Sequence, residues 1–124
     1  MKQLFLVFLG GGLGSILRFI ISKFFNNPEN TIPYGTLGVN IIGSFLIGLF
    51  IGLAVKHSSV VNTNTLLFLS TGFCGGFTTF SAFSQENYVL LKAGDITSFL
   101  VYTAMTIFIG LLAVVSGFYV VKYI

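Results

Sequence analysis

The stretch Gly72-Phe73-Cys74-Gly75-Gly76-Phe77-Thr78-Thr79-Phe80-Ser81-Ala82-Phe83-Ser84 sets a glycine pair, hydroxyls and phenyl rings in the middle of an apolar run from residue 66 to residue 91. As one straight helix, residues 65–91 would extend about 40 Å at about 1.5 Å per residue. That exceeds the roughly 30 Å of a bilayer's hydrocarbon core. Tilting could absorb the surplus, but Gly75-Gly76 followed by Thr78-Thr79 is a weak place for helix. Two glycines are joined there by hydroxyls that compete for backbone bonds. The pattern predicts a helix broken over residues 75–79. At membrane depth each unpaired backbone group costs several kcal/mol unless protein, water or an ion satisfies it. Two half-helices meeting there would present free carbonyls on one side and free N–H groups with a positive dipole end on the other. Such a turn can hold a cation on its carbonyls and draw an anion to its amides.

The rest of the chain agrees with a membrane setting. Of its 124 residues 55% are hydrophobic and 7% charged, far below the roughly 25% charge of soluble domains. Apolar segments at 4–25, 34–55, 65–91 and 96–121 are each long enough to cross a bilayer. Arg18 interrupts the first and no small-residue cleavage site follows, so it reads as a retained helix rather than a secretory signal. Cys74 is the only cysteine, which rules out an intrachain disulfide or a cysteine metal site and leaves it as a small apolar helix residue. The six Lys and Arg residues are scattered, so nucleic acid is not an expected partner. One His, one Cys and three separated carboxylates offer no catalytic constellation, and the chain does not read as an enzyme. His57, beside Lys56 in a polar connection, reads as solvated.

Connections at 26–33, 56–64 and 92–95 are short, which predicts a single four-helix transmembrane domain over residues 1–124. Orientation normally follows an excess of basic residues on cytoplasmic loops. Here Lys2, Lys56 and Lys122 at one face balance Arg18, Lys23 and Lys92 towards the other. A balanced chain can insert both ways, and two oppositely inserted copies could pair about a two-fold axis in the membrane plane. The expected assembly is an antiparallel homodimer; a weak one-way bias is the simpler alternative. Small and polar residues line up at helical spacing in Gly10, Gly14 and Arg18, in Asn40, Ser44, Gly48 and Gly52, and in Ser98, Tyr102, Thr106 and Gly110. As glycine stripes these are packing ridges. Asn40, Tyr102 and Thr106 differ, because their donors need partners in a dry interior.

The residue 72–84 stretch resembles the signature of the CrcB/Fluc family of fluoride channels. So do Gly10-Gly11-Gly12-Leu13-Gly14-Ser15-Ile16-Leu17-Arg18-Phe19 and Gly35-Thr36-Leu37-Gly38-Val39-Asn40-Ile41-Ile42-Gly43-Ser44, in the family's order. The resemblance covers essentially the whole chain. It implies a dual-topology homodimer of four-helix subunits in a bacterial plasma (inner) membrane, with two antiparallel fluoride pores. A structural sodium ion would sit at the dimer centre on backbone carbonyls of Gly75 and Thr78. Phe80 and Phe83 would match the pore phenylalanines, Asn40 the pore asparagine, and Arg18 the vestibule arginine. Ser81 would add a hydroxyl, and Tyr102 and Thr106 would fall on the polar track of the fourth helix. Gly110 departs from the pattern where a further hydroxyl is expected, and Ala82 is a minor departure.

Fluoride is small and tightly hydrated, so a dry pore must replace water with close donors that carry no fixed negative charge. Phenyl rings turned edge-on add weak favourable contacts to an anion. The competing reading is a small dual-topology, proton-coupled multidrug or cation exporter, which needs a membrane-embedded carboxylate. Glu86 is the sole candidate, although its place towards the end of the third segment suits an interfacial or vestibule carboxylate. A non-transporting assembly protein held by glycine ridges is the third reading. No nucleotide-binding motif is present, and the expected activity is passive, selective fluoride efflux.

Overall fold

The computed structural model describes residues 1–124, and all its regular structure is helical. Helix α1 spans Lys2–Phe25 and α2 spans Tyr34–Lys56. Next, α3 covers residues 63–77, α4 spans Phe80–Lys92, and α5 spans Ile96–Val120 with a closing 3-10 turn at Val121–Tyr123. Four of the resulting rods are long and apolar enough to cross a membrane, with α3 and α4 together forming the third.

Local chemistry sets the ends. Pro28 follows the end of α1, where it disfavours helix in the residue before it, and Pro33 precedes the first turn of α2. Asn62 caps α3, its Oδ1 accepting the Thr65 N–H at 2.9 Å. Gly94, at φ 75°, ends α4 in a left-handed turn. Asp95 then caps α5 by accepting the Ser98 N–H at 3.0 Å. That bond holds the Asp95 carboxyl below its ordinary range. The cap is therefore retained above the usual Asp range and lost as pH falls through the lowered value.

The four rods alternate in direction, so the second and fourth, α2 and α5, run parallel. Their backbones meet at glycines: a side chain at Gly48 would strike the Val114 carbonyl, and one at Gly117 the Phe45 carbonyl. Parallel α1 and α3 repeat the arrangement, with Gly14 against the Phe73 carbonyl and Gly76 against that of Gly11. In lipid, close backbone approach replaces the hydrophobic drive that packs soluble helices. Outward faces are apolar, with Phe5, Phe8, Phe19 and Phe24 exposed on α1.

The interruption falls later and is narrower than residues 75–79. Gly75–Phe77 is still helical, and only Thr78 and Thr79 are extended, with ψ of 158° and 114°. The glycine pair stays helical where Gly76 packs its backbone directly against Gly11 of α1. Two adjacent β-branched threonines tolerate extended backbone well, and Thr79 itself starts the next helix by accepting the Ala82 N–H at 3.2 Å. Ahead of the break, Leu67–Cys74 is wound as a π-helix, a widened turn frequent at functional sites.

Replacing Gly48 or Gly117 by leucine is expected to cost about 1–3 kcal/mol through overpacking, read as a lower thermal midpoint in detergent. Gly12→Ala and Gly38→Ala, where an added Cβ meets open space, should leave the midpoint unchanged.

Candidate functional site

Thr78 and Thr79 open onto a groove of about 630 Å³ whose wall includes Asn40, Ser44, Gly75, Phe80, Phe83 and Thr106. No residue lining it is charged. Asn40 of α2 braces the break from both sides. Its Oδ1 accepts the Thr79 N–H at 2.7 Å, and its Nδ2 donates to the Thr79 carbonyl at 3.1 Å. In an unbroken helix that N–H would have bonded the Gly75 carbonyl. The Ala82 N–H, which would have served Thr78, goes to the Thr79 hydroxyl instead. The Gly75 and Thr78 carbonyls are thus released from the helical ladder beside the first turn of α4, whose dipole end is positive.

Four of the six groove hydroxyls share one habit. Ser44 donates to the Asn40 carbonyl at 2.7 Å, Ser70 to Leu66 at 2.5 Å, Thr78 to Cys74 at 2.9 Å and Thr106 to Tyr102 at 2.8 Å. Each is parked on its own helix four residues back. A rotation about one bond would turn any of these O–H groups toward an anion without leaving the carbonyl unbonded, since helical carbonyls keep their backbone donor.

Phe80 and Phe83 lie with ring centroids 5.8 Å apart, and Phe80 is 79% exposed. Phe83 packs in turn on Tyr102 at 5.3 Å. The Ser81 Oγ lies 3.4 Å from the Thr79 Oγ1. Three of the residues singled out from sequence, Ser81, Tyr102 and Arg18, stand outside the groove lining. Tyr102 is fully buried and points its hydroxyl away from the groove, and Arg18, half-buried on α1, is outside the groove lining.

The partner of Tyr102 is Glu86, whose Oε2 accepts its hydroxyl at 2.7 Å. Glu86 Oε1 accepts from Thr36 at 2.6 Å, and Asn26 holds Thr36 through both its backbone N–H (3.1 Å) and its hydroxyl (3.0 Å). Both carboxylate oxygens are thereby engaged by donors. The chain Asn26–Thr36–Glu86–Tyr102 links the groove's aromatic wall to a second cavity of about 370 Å³ lined by Asn26, Asn27, Gln85 and Glu86. Sequence reading left Thr36 and Asn26 out. The available signal was the i, i+3 spacing of Phe83 and Glu86, which puts the carboxylate on the ring's side of α4.

A four-rod membrane bundle with an interrupted third rod and an uncharged groove at the interruption shares the discontinuous-helix feature at which membrane transporters bind substrates and ions. The model of the family described as CrcB-like protein, Camphor Resistance (CrcB), matches residues 5–118, and the chain belongs to that family. Among its curated relatives, one from Gloeothece citriformis is 49% identical over 98% of both chains. Another from Flavobacterium psychrophilum is 44% identical over 98% of both. A third, from Campylobacter lari, is 46% identical over 91% of this chain and 92% of its own. All three bear the name fluoride-specific ion channel FluC.

Asn40→Leu should strip the Thr79 N–H and carbonyl of their partners together, at about 1–3 kcal/mol each. Thermal unfolding in detergent should show a loss of that order. Ser44→Ala, which removes only a bond within one helix, should show little.

Proposed function

We propose that this chain is a fluoride-selective channel that lets fluoride leave the cell passively down its gradient. The observation that carries the reading is the uncharged groove at Thr78–Thr79, which collects neutral donors, two phenyl rings and a helix N-terminus. Fluoride needs short, strong hydrogen bonds in exchange for its water. Hydroxyls of Ser44, Thr106 and Ser81, the Asn40 amide and the ring edges of Phe80 and Phe83 can supply contacts without trapping the ion on a fixed positive charge. The names of the relatives point the same way.

The proposed assembly is an antiparallel homodimer. Each subunit carries its own share of the path, with Arg18 at the mouth, where it raises local anion concentration. The released carbonyls of Gly75 and Thr78 fit a hard cation such as sodium, since they are neutral oxygen donors and no cluster of His, Cys, Asp or Glu competes for a transition metal. One subunit's pair falls short of a closed shell, and a second copy doubles it. A bound sodium would supply positive charge between the two interrupted helices.

In proteoliposomes, fluoride should leave on dissipation of its gradient while chloride stays, as read by ion-selective electrodes. Equal chloride flux would overturn the selectivity. Phe80→Ile should slow efflux with the dimer intact by size-exclusion chromatography. Exchanging sodium for N-methylglucamine should lower the thermal midpoint, and indifference to the cation would remove the sodium site. Reporters fused to the C-terminus should signal on both sides of the membrane; a strictly one-sided signal would remove the antiparallel arrangement.

A further inference from the structure

The alternation of the rods sorts the charges unevenly. Arg18, Lys23 and Lys92 share their end of the bundle with Glu29, Glu86 and Asp95, so charge there cancels. The opposite end carries Lys2, Lys56 and Lys122 with no acidic side chain, and the whole surplus of +3 resides on it. Here α2 and α5 finish side by side around a cavity of about 330 Å³ lined by Gly52, Val55, Lys56, Phe118, Val121 and Lys122.

Both lysines at this cavity are held. The Lys56 Nζ donates to the Val121 carbonyl at 2.9 Å, which leaves two of its three N–H groups unused. The Lys122 Nζ sits 4.3 Å from the centre of the Tyr119 ring. Snorkelling and neutralisation of helix ends account for each lysine singly. They do not account for a cavity kept between them.

We propose that this cavity binds the phosphate of an anionic phospholipid. Two ammonium groups would take the phosphate oxygens, while Val55, 69% exposed, and the neighbouring Val120 and Tyr119 continue the wall along the lipid-facing side, where acyl chains run. A free phosphate would use the lysines but gain nothing from the apolar wall, so the occupant is a lipid. In an antiparallel pair each leaflet would contain one such site.

Native mass spectrometry of the purified full chain, with dioleoylphosphatidylglycerol against dioleoylphosphatidylcholine, tests this. The anionic lipid should be retained more tightly. K56Q and K122Q should each weaken its retention about fivefold, Lys→Arg at the same positions should keep it, and K92Q at the opposite end should leave it unchanged. Equal retention of both lipids by the unaltered chain overturns the site, whatever the variants do. So does retention unaffected by K56Q and K122Q, an equal loss in K92Q, or displacement of the lipid by millimolar inorganic phosphate.

Discussion

The two hydrogen bonds between the Asn40 side chain and the Thr79 main chain are the constraint on which the rest of this structure depends. A helix interrupted in lipid leaves backbone groups with no water to turn to, and the interruption persists only where protein replaces the lost ladder. One carboxamide does so in both senses, as acceptor and donor, from a neighbouring helix. With Thr79 satisfied, α4 starts anew with its own cap, and Gly75 and Thr78, both residues of the groove wall, lose the helical donors of their carbonyls. Position 40 is thus as much a brace of the fold as a lining residue.

That brace requires α2 to stay close to the interruption, and Gly43 provides for this. An added methyl there would strike the Thr78 side chain. The same economy holds along the other contacts, where α1 meets α3 at Gly10 and Gly14 and α2 meets α5 at Gly48 and Gly117. Backbones this close hold the groove's walls together without a large hydrophobic core. Glu86 follows the same logic. Its charge-bearing group is held by hydroxyls on two different helices, and Thr36 is itself held by Asn26.

Much of this was legible in the sequence, for physical reasons. Apolar length alone marks four crossings, and glycine with threonine in a membrane segment marks an interruption. Its exact place was not legible, because glycine has two uses that look alike in one dimension. Gly75 and Gly76 weaken a helix in isolation, but Gly76 here serves close packing on Gly11, and the chain opens instead at the threonines. Asn40, Phe80, Phe83 and Thr106 line one groove; spacing relates only residues of the same helix, and it was the resemblance that grouped them. Tyr102 does not join them, since its ring backs Phe83 while its hydroxyl reaches Glu86. Which end of a long side chain a site uses is decided by partners on other helices, and no single-chain periodicity records them.

The hydroxyls of Ser44, Ser70, Thr78 and Thr106 all rest on a carbonyl of their own helix. A donor already at ease has little to gain by clinging to a visitor. If fluoride passes here as proposed, each hydroxyl would surrender its resting bond to make the stronger one to the ion, and that forfeit would shallow the well at every step.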